Sequence, residues 1–179
     1  MMVDMKGKQL MPQISEYGNG NLIVPSDLKR EGVAQISESL NLLLADVFAL
    51  YLKTKSFHWH ISGPHFRDYH LLMDEQAAQV FAMSDNIAER NRKIGGTTLR
   101  SISDISRHQR LQDNNDASLS ATDMLAELCS DNEQLTGFLR QTHEVASGNE
   151  DVATASLIEN WIDETERRTW FLSAALDES

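Results

Sequence analysis

The sequence predicts an all-α protein, a four-helix bundle with a short extra helix in the crossover between helices two and three. Apolar residues recur at spacings of three and four in four long segments, which is typical of helices with one buried face. The last proline is Pro64, so the rest of the chain can form long uninterrupted helices. Glycines fall where these segments end, which supports the same division.

The first two helices lie on either side of a break at Gly63 and Pro64. Helix one is predicted from Val33 to about His60, and helix two from Phe66 to the glycines at 95 and 96. The apolar stripe of helix one contains Ile36, Leu40, Leu43, Leu44, Val47, Leu50 and Tyr51. The stripe of helix two contains Phe66, Tyr69, Met73, Ala77, Val80, Phe81, Ile87 and Ala88.

Helices three and four follow a long connection. Ser120 and Asp123 resemble a capping box, which predicts that helix three begins there and continues to about Gly148. Helix four is predicted over 152–176. Residues 97–119 would make an unusually long structureless loop, so we predict a helical crossover there.

The chain divides into an arm and one domain. Residues 1–25 contain several glycines and two prolines with little periodicity, and they are predicted to form a flexible N-terminal arm. Residues 26–179 have the length of a single folding unit and are predicted to form the bundle.

Composition excludes several classes of protein. Cys129 is the only cysteine, which rules out an internal disulfide and a cysteine-based zinc site. No stretch approaches the roughly 20 apolar residues of a membrane span, and the N-terminus lacks a secretory signal pattern. We therefore expect a cytoplasmic protein without a membrane partner.

The formal net charge of −11 disfavours strong electrostatic binding to DNA and is compatible with attracting cations. Such a charge is also ordinary for soluble proteins.

Helix two carries two pairs of metal-ligand side chains at i,i+4 spacing. We name His70 with Asp74 the His–Asp pair, and Asp85 with Glu89 the Asp–Glu pair. At about 100° per residue, all four side chains fall within an arc of about 100° on one face of the helix. Asp74 and Asp85 would lie about 16 Å apart along the axis, whereas metal–ligand bonds are about 2.0 to 2.2 Å. One helix therefore cannot close a site from both pairs.

A second copy could complete the site. If two copies of helix two packed antiparallel across a two-fold axis near Gln79 and Val80, the His–Asp pair of one would face the Asp–Glu pair of the other. His58, at the end of helix one, could fold back and add a second imidazole. Mixed nitrogen and oxygen donors suit Fe(II), Mn(II) or Zn(II), and carboxylates stabilise Fe(III) after oxidation.

Each of these residues also has an ordinary structural interpretation. The His–Asp pair could be an exposed hydrogen-bonded pair on a helix. Glu89 has Lys93 four residues on, which would form a surface salt bridge. His58 alone could be a packed or capping histidine.

Together these residues resemble the Dps (DNA-binding protein from starved cells) family of mini-ferritins. The resemblance rests on His58-Trp59, Gly63-Pro64-His65-Phe66, the His–Asp pair, Asp85-Asn86-Ile87-Ala88-Glu89-Arg90, Gly95-Gly96-Thr97 and Trp170-Phe171-Leu172. It covers essentially all of the chain beyond the arm. No glutamate stands three residues before any of the six histidines, so the Glu-x-x-His pair of ferritin sites that lie inside one bundle is missing. This absence favours an intersubunit site.

The resemblance implies a ferritin-like fold, a hollow homododecamer and ferroxidase centres at dimer interfaces. Hydrogen peroxide would be the preferred oxidant, with oxygen as the alternative, and ferric mineral would be stored inside, which protects the cell and its DNA. By the same resemblance, His58, His70 and Asp74 of one subunit and Asp85 and Glu89 of its partner are both the catalytic and the metal-binding residues. Iron is the expected metal, and zinc or manganese are possible competitors.

Further residues are candidates by the same resemblance. Trp59, beside a ligand, could intercept stray oxidising equivalents or simply pack at the interface. Glu150, Asp151 and Glu159 could line an iron-entry pore, or could be acids at a solvated helix N-terminus. Ser156 stands where relatives often carry an acid, so the lining of the pore stays open.

The alternative function is a DNA-binding, nucleoid-compacting assembly in which the metal site is secondary. Some relatives bind DNA through lysine-rich arms, but residues 1–31 here hold four basic and four acidic residues. Twelve arms displaying Lys6 and Lys8 could still bind DNA weakly through multivalency. The C-terminal Asp177-Glu178-Ser179 is unsuited to phosphate.

Overall fold

The computed structural model describes residues 24–177, which form five helices and contain no strand. The helices are α1 (Arg30–His60), α2 (Phe66–Lys93), α3 (Ile102–His108), α4 (Ala121–Gly148) and α5 (Val152–Leu176). The predicted all-α bundle with a short crossover helix is thereby confirmed. Helix one begins three residues earlier than predicted, at Arg30 instead of Val33. The predicted arm, apart from its last two residues, lies outside the described part of the chain.

Two helical hairpins build the bundle. α1 packs against α2 and α4 packs against α5, because the connections between the helices of each pair are short. α1 also packs against α4, which joins the hairpins, and α3 lies against α1. The core between them is made of fully buried aliphatic side chains, among them Ile36, Leu40, Leu43, Leu128, Leu135, Ile158 and Leu172.

Helix α1 is long and apolar enough, by length and composition alone, to cross a membrane. This finding differs from the prediction that no stretch approaches a membrane span. The packing gives a sufficient reason for the composition, because Ile36, Leu40 and Leu43 of α1 are buried in the bundle core.

Local signals set the helix ends. The predicted capping box of α4 is present, since the Ser120 hydroxyl accepts from the Asp123 amide at 3.1 Å and the Asp123 carboxylate accepts from the Ser120 amide at 3.2 Å. Gly63 has a φ of +113° in the turn that reverses the chain between α1 and α2. A residue with a side chain would be strained there, so this turn requires glycine.

A buried aspartate fixes the crossover to the bundle. Asp46 of α1 is fully buried and accepts hydrogen bonds from the amides of Arg110 and Leu111 at 2.6 and 3.2 Å. Its other oxygen accepts from Arg110 Nε at 2.8 Å, and the guanidinium lies over the ring of Phe138 with its central carbon 3.7 Å from the centroid. Burial raises the pKa of Asp46 despite these donors. The segment after α3 is thus held by polar contacts that the apolar pattern did not reveal.

Candidate metal centre

Two histidines meet across the turn between α1 and α2. His58 lies near the end of α1, and His70 lies one turn into α2. Their imidazole rings stack, with centroids 3.7 Å apart and an interplanar angle of 21°. Nδ1 of His58 is 2.8 Å from the carbonyl oxygen of His70, and Nδ1 of His70 is 2.9 Å from the carbonyl oxygen of His58. The hydrogen bonds are therefore reciprocal.

This reciprocal bonding fixes the tautomer of both rings. A carbonyl oxygen can only accept, so each Nδ1 must carry the proton that it donates. In a neutral imidazole the lone pair is then on Nε2, which is the atom left for a metal ion. Histidines that bind metals commonly donate their second ring N–H to a carbonyl or carboxylate in this way. The Nδ1 contacts of His58 and His70 thus have the pattern that is common in metal-binding histidines.

Asp74 lies beside this histidine pair. Its Oδ1 is 3.9 Å from Nε2 of His58, and the side chain is exposed. Asp74 thus lies next to His58, whose ring stacks on that of His70, and the assignment of these three residues as metal ligands stays a prediction.

Asp74 also has a cationic neighbour from α1. Lys55 Nζ donates to Asp74 Oδ1 at 2.7 Å. The hydrogen bond and the positive charge of Lys55 hold the pKa of Asp74 below its ordinary value, so the carboxylate stays ionised. Lys55 was not among the residues predicted for the site. Its position three residues before His58, on the same face of α1, was the available signal.

The Asp–Glu pair lies farther along α2 and is exposed. Lys93 Nζ donates to Glu89 Oε2 at 2.8 Å, so the surface salt bridge considered above does form. This contact lowers the pKa of Glu89 through the hydrogen bond and the charge of Lys93. Asp85 lies at the edge of a groove of about 760 Å³ between α1, α2 and the crossover.

Within one chain, the five candidate ligands do not form a complete metal site. Within residues 24–177, no three His, Cys, Asp or Glu side chains of the chain are grouped closely enough to hold a metal ion. The His–Asp pair and the Asp–Glu pair belong to one continuous helix, so they cannot approach each other within a subunit.

The surface around this incomplete site is apolar. Trp59 is 60% exposed, Phe66 is 44% exposed and Phe81 is 50% exposed, although all three are large hydrophobic side chains. Leu52 and Leu71 add to the exposed apolar area of α1 and α2. Large hydrophobic side chains that stay exposed in a single subunit are available for contact with another subunit.

The three pore candidates lie in different environments. Glu150 is exposed, with a left-handed backbone at φ +62°, and Glu159 is exposed with Oε1 3.2 Å from Nε2 of His143. Asp151 is buried, caps the N-terminus of α5 and forms an ion pair with Arg90 at 2.5 Å. Both oxygens of Asp151 are engaged inside the subunit. Its carboxylate therefore acts in the structure as a helix cap that ties α5 to α2.

Known proteins share this arrangement of helices. Residues 37–179 match the family of ferritin-like domains. The chain is 36% identical over 154 residues to an uncharacterized low temperature-induced protein of Nostoc sp., which covers 85% of this chain and 84% of that protein. It is 29% identical over 160 residues to DNA protection during starvation protein 1 of Deinococcus radiodurans, with 89% and 77% of the two chains covered.

Solved structures give the same result. Dps from Thermosynechococcus elongatus superposes with a TM-score of 0.81 at 29% identity, covering 83% of this chain and 94% of that one. Dps from Bacillus brevis superposes with a TM-score of 0.80 at 27% identity, covering 84% and 100%. The match over residues 37–179 and these superpositions make the chain a ferritin-like protein. Within that class, the chain belongs to the Dps family of mini-ferritins.

Proposed function

We propose that this protein is a ferroxidase and iron store, which oxidises Fe(II) at sites shared between two subunits. The observation that supports it best is the reciprocal bonding of His58 and His70, which leaves both Nε2 lone pairs available, that of His58 at 3.9 Å from Asp74 Oδ1. Imidazole nitrogen with carboxylate oxygen is a donor set that Fe(II) accepts, as do the possible competitors Mn(II) and Zn(II). Iron is both the substrate of the proposed reaction and the material that is stored.

A second copy of the chain is the proposed source of the missing ligands. Asp85 and Glu89 are exposed on the same helix as the His–Asp pair, so an antiparallel partner helix would present them to it. The exposed Trp59, Phe66 and Phe81 give this face the apolar character of a subunit interface. In such a dimer, each of two equivalent sites would have two imidazoles and three carboxylates. Trp59 would lie at that interface, beside a ligand.

The proposed reaction consumes Fe(II) and hydrogen peroxide together. Two Fe(II) ions each lose one electron, and one hydrogen peroxide takes both electrons and two protons to give two water molecules. The carboxylates stabilise the Fe(III) that forms, because hard oxygen donors prefer the more highly charged ion. Removing both reactants at once prevents hydroxyl-radical formation. Relatives of the chain bear names that refer to DNA protection during starvation, which agrees with this role.

Storage requires an enclosed space and an entrance. We propose that twelve copies form the hollow shell usual in the Dps family and that ferric mineral collects inside it, in the cytoplasm. Glu150 and Glu159 are the candidates for the iron-entry pore, because both are exposed and acidic. Asp151 would contribute as the cap that positions Glu150, since its own carboxylate is buried.

An anaerobic titration tests the proposal. Protein loaded with Fe(II) under nitrogen is expected to oxidise two Fe(II) for each hydrogen peroxide added, faster than with dissolved oxygen, while a spin trap detects much less hydroxyl radical than in protein-free buffer. Iron absorbance and electron paramagnetic resonance measure the two quantities. A radical yield equal to that of the protein-free reaction would contradict the proposal.

Weak DNA binding remains our prediction for the alternative function. We expect no retarded band at about 150 mM salt in a gel-shift assay with duplex DNA, because the chain has a net charge of −11. Any complex at low salt should be weak and should lose affinity only gradually as salt rises, because Lys6 and Lys8 of each arm would neutralise few phosphates. Retention at physiological salt would place DNA compaction first.

A further inference from the structure

Two of the three carboxylates of the proposed iron site, those of Asp74 and Glu89, are each held by a lysine of the same chain. We propose that Lys55 and Lys93 are internal counter-ions that occupy the metal-facing carboxylates of the empty site and set its affinity for divalent metal ions. This inference rests on the proposed function, because it assumes that the His–Asp pair and the Asp–Glu pair are ligands. In this proposal neither lysine binds the metal ion. Both lysines position the carboxylates and determine the affinity of the site for the metal.

The contact of Lys55 is the stronger of the two. Its Nζ lies 2.7 Å from Asp74 Oδ1, and this same oxygen is the one that lies 3.9 Å from Nε2 of His58. The ammonium group of Lys55 thus contacts the same oxygen of Asp74 that a metal ion bound to His58 would also contact. The Lys55 side chain is only 18% exposed, whereas that of Asp74 is 57% exposed. The aliphatic part of the Lys55 side chain is therefore packed against the protein, and its ammonium group extends to the Asp74 carboxylate, which is otherwise in contact with water.

The contact of Lys93 has the same chemistry in a more open setting. Nζ lies 2.8 Å from Glu89 Oε2, with side chains that are 62% and 55% exposed. An exposed i,i+4 pair contributes little, because water and salt screen it. We therefore expect Lys93 to compete with a metal ion much less effectively than Lys55 does.

These lysines have two opposing effects. A metal ion that binds Asp74 or Glu89 must displace an ammonium group, so each lysine weakens metal binding. In an empty dimer, three carboxylates would otherwise face one another at each site, and the lysines relieve that repulsion. Removing Lys55 should then tighten metal binding and weaken the empty interface at the same time. A merely structural lysine would produce only the second effect.

Calorimetric titration of the assembled, iron-free protein with Co(II) tests the inference without any oxidation step. We expect Lys55→Met to lower the Kd for Co(II) about tenfold, which is the effect of one charge-assisted hydrogen bond. Lys93→Met should lower it about twofold to threefold. Lys55→Arg keeps the charge and should stay within about twofold of wild type. Urea-induced dissociation of the metal-free assembly should shift to lower urea in Lys55→Met.

A matched control separates specific contact from general charge. Arg92→Gln removes a positive charge next to Lys93 from a side chain that donates to the Gly96 carbonyl oxygen and not to Glu89. This variant should bind Co(II) with unchanged affinity. A gain equal to that of Lys55→Met would overturn the inference, because it would show a nonspecific field effect.

The two proposals fail in different ways. If His70→Ala binds Co(II) as well as wild type does, Co(II) does not bind at the proposed site, and the proposed function itself fails. If wild type binds Co(II) but Lys55→Met binds it equally or more weakly, only the role of Lys55 fails. Should Lys55→Met not assemble, Lys55→Gln, which keeps a polar end group, supplies the same comparison.

Discussion

Mixing two inactive variants of this protein is expected to restore iron oxidation. The His70→Ala, Asp74→Ala variant and the Asp85→Ala, Glu89→Ala variant should each lose at least about 100-fold in the initial rate, because each lacks two of the proposed ligands. In a mixed dimer, one site carries both sets of substitutions and the other carries none. Random reassortment should therefore leave about a quarter of all sites intact, and about a quarter of the wild-type rate should return.

The complementation has an internal control. His58→Ala lies in the same half of the proposed site as the His70→Ala, Asp74→Ala substitutions, so no mixed dimer of these two variants contains an intact site. That mixture should remain inactive. The variants are unfolded together, refolded together and assayed for Fe(II) oxidation by peroxide at equal total subunit concentration. Recovery in neither mixture would contradict a site shared between subunits.

Helical periodicity was the part of the site prediction that the sequence could supply, because it decides which side chains share a face of a helix. His70 and Asp74 are one turn apart on α2, and the Gly63–Pro64 break returns His58 toward them. Periodicity gives no information on how side chains pair across a turn. The reciprocal bonds between His58 and His70 depend on the angle at which α1 and α2 meet, and that angle is a result of packing.

Buried polar residues were the main features that the sequence did not predict. Asp151 was considered as a pore acid, yet its place at the N-terminus of α5 puts its carboxylate against Arg90 inside the subunit. Arg168 of α5 is 1% exposed and donates to Asn132 Oδ1 at 2.9 Å and to Thr165 Oγ1 at 2.7 Å. Burial lowers the pKa of Arg168 to about 10. Charged residues lie mostly at the surface of proteins, so a buried aspartate or arginine can be predicted only when its partner is known.

Truncating the aspartate that holds the crossover should cause the largest loss of stability. Asp46→Ala would leave the amides of Arg110 and Leu111 and the guanidinium of Arg110 without their acceptor. Removing one partner of a buried pair typically destabilises by about 3 to 5 kcal/mol. The Arg110 side chain is 26% exposed, so water can reach part of it, and we expect a loss of about 3 kcal/mol. Urea unfolding of the metal-free protein at one fixed subunit concentration measures it.

Two further variants identify the cause of this loss. Asp46→Asn keeps an oxygen that can accept from the amides of Arg110 and Leu111, so it should lose only about 1 to 2 kcal/mol. Arg140→Ala breaks the exposed ion pair between Arg140 and Glu166 and should change stability by less than about 0.5 kcal/mol. Because Asp46 lies in α1 and its donors lie just after α3, its loss should free the crossover that borders the groove beside Asp85. Equal stability of Asp46→Ala and Arg140→Ala would show that the crossover is held by the packing of Leu111 alone.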